Sequence, residues 1–170
     1  MKTLIVIDVQ NDFVTGSLGT PEAQAIIPNV RKKIAEYRER KDKIIFTQDT
    51  HDSNYLETSE GKYLPVSHCI AGTDGWKIVD ELSNDEDIIV YKSTFGNLYW
   101  SKLVSQRDDT IEIIGLCTDI CVISNALILK AMFPNSKITV DASCCAGVTP
   151  RTHKSAIEVM KMCQIDIIGE

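Results

Sequence analysis

The sequence predicts an α/β protein with three layers: a six-stranded, mainly parallel sheet carrying helices on both faces. Three observations predict it. Short β-branched runs alternate along the chain with stretches of helical periodicity. The runs are continuously apolar, as strands covered on both faces are, rather than alternating. The 170 residues, 44% hydrophobic and 25% charged, have the composition of one ordinary globular domain, residues 1–170, without linker, repeat or low-complexity tract.

The first strand is expected at 3–8 (TLIVID). A helix follows at 26–41, where positions 26, 27, 30, 34 and 37 place apolar residues on one face. Strands two and three are read at 43–49 (KIIFTQD) and 87–92 (DIIVYK), separated by a long irregular segment, 50–75. The fourth strand, 110–115 (TIEIIG), leads into a helix that starts near Asp119, with Thr118 and Asp119 as candidate caps, and ends before Pro134. A strand at 137–142, a helix at 150–163 and a strand at 165–169 complete the pattern. In such a sheet a ligand sits beyond the carboxyl ends of the strands, where the strand order reverses.

The formal net charge of −6 argues against an electrostatic grip on nucleic acid or an anionic membrane. No apolar run reaches membrane-spanning length, and the N-terminal run meets Asp8 too early for a signal segment. A cytoplasmic protein with reduced thiols is the expectation for its six cysteines.

Several polar residues fall where strands should end: Asp8, then Asp49 and His51, Lys92, and the cysteine turn GLCTDICV holding Cys117 and Cys121. Cys121 lies in the first turn of a helix, where the dipole favours a thiolate; buried cysteines are also commonly inert packing. A zinc clip from Cys117 and Cys121 lacks a second ligand pair, and a redox motif needs one residue fewer between the thiols. Lys92 and Asp8 supply what a nucleophilic thiol needs, an ammonium to stabilise charge and a carboxylate to accept a proton. Asp49, His51 and His68 form a carboxylate–imidazole set suited to a divalent transition metal, with Glu57 or Glu60 available as a fourth ligand. The third histidine, His153, shows no partners in sequence and reads as exposed or capping. Phe13, Tyr63, Phe95, Tyr99 and Trp100 follow strand ends or lie in the loop, as lid packing or as walls for a planar ligand.

The segments IVIDVQNDF, TQDTH…LPVSHC…GTDGW, YKSTFGN and GLCTDICV occur in this order and span most of the chain. On them the sequence resembles the isochorismatase-like cysteine hydrolases, in particular the nicotinamidase-related amidases. The resemblance implies a Rossmann-like fold and an Asp8–Lys92–Cys121 triad. It implies a divalent metal, zinc being the expected ion, on Asp49, His51 and His68, with Glu57 the better match for a fourth ligand and Glu60 the alternative. It also implies a cis peptide at Leu116–Cys117, and an oxyanion hole built from the backbone amides of Cys117 and Cys121. The implied reaction converts a small amide, nicotinamide or a related molecule, to the acid and ammonia through a thioester. Phe13, Phe95 and Tyr99 would contact the substrate, as would Leu64, which stands where nicotinamidases carry a tryptophan that stacks on the pyridine ring. Relatives are commonly oligomers, so a homo-oligomer is expected. The alternatives are a metal-free hydrolase of another small amide or an enol ether, and a thiol-based sensor without catalysis.

Overall fold

The computed structural model describes residues 2–105 and 110–170. Six strands, β1 (Lys2–Ile7), β2 (Lys43–Asp49), β3 (Ile88–Lys92), β4 (Thr110–Leu116), β5 (Lys137–Ala146) and β6 (Asp166–Ile168), form one sheet in the order β3-β2-β1-β4-β5-β6. Every strand pair is parallel, so the sheet expected to be mainly parallel is wholly so among the described residues. The chain builds outward from β1 to β3, returns to β4 beside β1, and builds outward the other way. The reversal therefore lies between β1 and β4, which makes their carboxyl ends the expected ligand crevice.

Side chains of successive strand residues point to opposite faces, and each face has its own core. On one face Leu4, Val6, Ile44, Phe46 and Ile114 pack with α2 (Pro21–Ala25) and α3 (Ile27–Glu39), through Ala23, Val30, Ile34 and Tyr37. On the other, Ile5, Ile7, Ile45, Ile111 and Ile113 pack with α5 (Ile123–Met132) and α6 (Pro150–Met162), through Ala126, Leu129, Ile157 and Met160. Burial on both faces is why these strands read as unbroken apolar runs. Gly115 occupies a left-handed conformation, and a side chain there would strike the backbone of Ile7. Only glycine lets β4 pass so close to β1 at the crevice.

Four details differ from the sequence expectations. Short helices α1 (Asn11–Val14) and α2 precede α3, and α2 is capped by Thr20, whose hydroxyl accepts from the Ala23 amide. The long segment after β2 is not structureless: it holds a 3-10 turn, Tyr55–Glu57, and helix α4 (Ser59–Tyr63). β5 runs on to Ala146, its register against β4 shifting between Ile113 and Gly115. The helix after the cysteine turn starts later than Asp119, because a π-type turn, Thr118–Val122, comes first. Neither proposed cap caps it. The Asp119 carboxylate accepts instead from the Val148 amide, 3.1 Å from both oxygens, and the Thr118 hydroxyl meets His153 Nδ1 at 2.8 Å. Among the described residues no helix is long and apolar enough to cross a membrane.

Candidate active site and metal centre

Asp8 follows β1 directly. Its backbone is left-handed, a conformation aspartate tolerates better than most residues, and its amide bonds to the Thr47 carbonyl and hydroxyl. Thr47 Oγ1 also donates to Asp8 Oδ1 at 2.6 Å, which fixes the carboxylate. Lys92 ends β3 and is in register with Asp49 at the end of β2. Asp8 and Lys92 do not sit on adjacent strands. In the sheet β2 lies between β3 and β1, and the long lysine stem bridges the gap. Lys92 Nζ lies 2.6 Å from Asp8 Oδ2, 3.4 Å from Asp49 Oδ1 and 3.7 Å from Cys121 Sγ.

Asp8, Lys92 and Cys121 are all buried, and burial decides the protonation of the carboxyl and the thiol. It pushes the Asp8 carboxyl above its ordinary value despite the opposing Lys92 ammonium. It also pushes the Cys121 thiol well up, helped by the nearby Asp8 and Asp49 charges and opposed by Lys92. Lys92 would lose its proton on burial alone, but Asp8, Cys121 and Asp49 hold it firmly protonated. The helix-terminus argument for a resting thiolate is therefore overridden by desolvation: the resting Cys121 is a thiol beside a carboxylate hungry for its proton. The peptide Leu116–Cys117 is cis. The Cys117 thiol is pushed up to about 12 by burial; Cys117 and Cys121 are both free thiols, and among the described residues neither joins a cluster of three potential metal ligands.

Asp49, His51 and His68 bring one ligand atom each to within 4.8 Å of one another, all buried. Asp49 Oδ2 is 2.9 Å from His51 Nε2 and 3.6 Å from His68 Nε2. Ligands about 2.1 Å from a tetrahedral ion stand roughly 3.4 Å apart, so these spacings fit. His68 Nδ1 lies 2.9 Å from the Val66 carbonyl, to which it can only donate, leaving the Nε2 lone pair facing Asp49. Burial would raise the Asp49 carboxyl, but hydrogen bonds from His51 and His68 and the Lys92 ammonium hold it well below the usual range. The glutamate beside the set is Glu60, whose Oε1 is 3.8 Å from His51 Nε2 and 3.7 Å from His68 Nε2. The expectation favouring Glu57 is thus corrected: Glu57 closes the 3-10 turn and is exposed, while α4 carries Glu60 inward.

Between the two groups opens a cavity of about 940 Å³ with Cys117 and Cys121 in its wall. Phe13, Leu64 and Phe95 line it. Tyr99 does not: its exposed ring lies 5.1 Å from Lys102 Nζ. Trp100 is core, donating to Asn125 Oδ1 at 3.0 Å. His153, read as partnerless, is half-buried against Thr118.

Sequence reasoning missed the residues that hold the site together. The Gln10 side chain accepts from the Asp49 amide at 2.7 Å and donates to the Asp49 and Trp76 carbonyls. Asp12 accepts from the Cys69 amide at 2.7 Å, anchoring the residue after His68. The buried Tyr55 ring packs 4.7 Å from His51 and 4.8 Å from His68, and its hydroxyl donates to the Leu64 carbonyl. Asn125 accepts from the Asn97 amide and the Trp100 indole and donates to the Phe95 and Cys121 carbonyls. One signal was available: Gln10 and Asp12 are polar residues soon after a buried strand, and Asn125 is an amide in a largely apolar helix.

The isochorismatase domain model matches residues 2–169. Among curated relatives, the nicotinamidase/pyrazinamidase of Mycobacterium tuberculosis is 25% identical, aligned over 99% of this chain and 98% of its own. The nicotinamidase of Acinetobacter baylyi is 28% identical over 82% of this chain and 79% of its own. Among solved structures, the pyrazinamidase of Pyrococcus horikoshii in complex with zinc superposes with a TM-score of 0.85, at 27% identity and 99% coverage of each chain.

Proposed function

Because the chain belongs to the isochorismatase domain family, we propose that it is a cysteine amidohydrolase, cleaving a small amide of the nicotinamide type to the acid and ammonia. The observation that carries the proposal is the buried ammonium of Lys92, 2.6 Å from Asp8 and 3.7 Å from Cys121, with Cys121 itself in the wall of a cavity. Both curated relatives described above bear nicotinamidase names, which supports the substrate class.

Asp8 takes the Cys121 proton as the sulfur attacks the amide carbonyl carbon. Its raised proton affinity suits a base working near neutral pH. Lys92 stays charged throughout and steadies first the Asp8 carboxylate, then the thiolate. The backbone amides of Cys117 and Cys121 receive the oxyanion. Collapse breaks the C–N bond, ammonia departs with the proton from Asp8, and a thioester remains. Water then attacks, giving its proton to Asp8; the acid leaves, and Cys121 regains the proton.

Asp49, His51 and His68, with Glu60 beside them, would hold a divalent ion, and their nitrogen and oxygen donors suit zinc. The zinc complex of the Pyrococcus horikoshii relative supports this choice. Bound there, the ion supplies a Lewis-acid point that orients a substrate ring nitrogen or a water molecule.

The test is ammonia release from nicotinamide and pyrazinamide. Cys121→Ala should abolish it, whereas Cys117→Ala, which keeps the backbone amide, should only reduce it. Wild-type activity in Cys121→Ala would refute the mechanism.

A further inference from the structure

The cavity wall explains more than the attachment of one ring. Its volume, about 940 Å³, is at the upper end of the ~300–1,000 Å³ usual for pockets that enclose drug-sized ligands. A single-ring carboxamide held against Cys121 and the histidines occupies only the inner part. The rest of the lining mixes the polar Thr20, Asn54, Thr58, Ser59, Ser93 and Thr94 with apolar residues from five separate segments: Leu18, Ala23 of α2, Tyr63 and Leu64 at the end of α4, Phe95 after β3, and Val148 before α6. Most of this apolar belt is open to water. Tyr63 is 91% exposed, Val148 51%, Phe95 47% and Leu64 36%. Large apolar side chains gathered around the mouth of one cavity mark a surface that a ligand covers.

The charges around the cavity are one-sided. Among the described residues its lining includes the carboxylates of Asp49, Asp52 and Glu60 but no lysine or arginine. Lys92 is buried, its ammonium already shared between Asp8 and Asp49. A carboxylate on the substrate's outer end would meet no lysine or arginine among the described lining residues and would lose its hydration against apolar side chains, which is costly.

Resting on the amidase reading above, we propose that the substrate is an uncharged primary carboxamide whose apolar acyl group extends well beyond one six-membered ring. The carboxamide reaches Cys121 and the extension lies against Leu64, Tyr63, Phe95 and Val148. Water is the only co-reactant: the C–N bond breaks, and the extended acid and ammonia leave.

Three probes test this: nicotinamide, 2-naphthamide, and 6-carbamoyl-2-naphthoate, which is the second with a carboxylate at its far end. Ammonia release by the zinc-supplemented protein gives kcat/KM, and calorimetric titration of Cys121→Ala gives Kd without turnover. A second ring adds enough buried apolar surface for about a tenfold gain. 2-Naphthamide should therefore exceed nicotinamide at least about tenfold in both measurements, and the naphthoate should fall at least about tenfold below 2-naphthamide. Leu64→Trp, at an exposed position that tolerates bulk, should fill part of the belt and lower the naphthamide-to-nicotinamide ratio at least about threefold. Smaller ratios overturn the proposal, and brisk nicotinamide hydrolysis alongside them would leave the amidase reading intact. Conversely, no ammonia from any probe with the binding order as expected would sink the amidase reading while upholding the size and charge preference.

Discussion

Asn125 offers a direct test of how the helix that follows Cys121 is tied to the loop after β3. It is fully buried, and its side chain makes four hydrogen bonds: from the Asn97 amide at 2.8 Å and the Trp100 indole at 3.0 Å, and to the carbonyls of Phe95 at 3.0 Å and Cys121 at 2.8 Å. Asn97 and Trp100 are themselves buried, so Asn125→Ala strands two donors where water cannot reach them. Each stranded donor costs about 1–3 kcal/mol. The Phe95 carbonyl belongs to an exposed residue and can rehydrate. The expected loss is about 4 kcal/mol, or roughly 8–16 °C in melting temperature for a chain of this size. Urea unfolding followed through Trp100 fluorescence measures it. Asn125→Asp separates the network from simple packing. Its carboxylate keeps both accepted bonds but sets an oxygen against two carbonyls, so its proton affinity rises. A group with a raised folded-state pKa stabilises below its unfolded value of about 4 and loses that contribution as pH rises. The aspartate variant should therefore be more stable at pH 4 than at pH 8, while the alanine variant shows no such added slope. A loss below about 1 kcal/mol in Asn125→Ala would refute the reasoning.

Three further outcomes follow from the same geometry. Glu60→Gln should weaken zinc binding, measured by competition with a chromophoric chelator, about tenfold or more, whereas Glu57→Gln should leave it unchanged; equal effects would remove Glu60 from the centre. On the α3 face, Lys33 Nζ pairs with Glu112 at 2.7 Å and Asp141 at 2.8 Å. Burial would raise the Asp141 carboxyl, but Lys33 and Ser143 hold it low, so its contribution is present above about pH 4 and lost as pH falls through the depressed value. Lys33→Met should cost about 3 kcal/mol at pH 7, with the gap to wild type narrowing by pH 3; a constant gap in urea midpoints would contradict this. His153→Ala should strand the buried Thr118 hydroxyl within the cysteine turn and cost about 1–2 kcal/mol, with His153→Asn restoring part of it; thermal unfolding of the pair decides.

Sequence alone determined the layered parallel fold, because strands buried on two faces must be continuously apolar and must be linked by helices. It also determined the identities of Asp8, Lys92, Cys121, Asp49, His51 and His68 as candidates, since reactive side chains collect where strands end. Periodicity and spacing are local properties, and they carried the local choices. What they could not carry was distance between segments far apart in the chain. Only the folded sheet put β2 between Lys92 and Asp8, and only the turn of α4 brought Glu60, rather than Glu57, beside the histidines. Desolvation is likewise a tertiary quantity. The helix terminus suggested an ionised Cys121, yet burial beside Asp8 leaves it a thiol. Polarity beside a buried strand or in a largely apolar helix marked Gln10, Asp12 and Asn125, but nothing in sequence gave their backbone partners, or those of Tyr55, which lie up to 66 residues away. Hydrogen-bond partnership at that range exists only once the chain has folded.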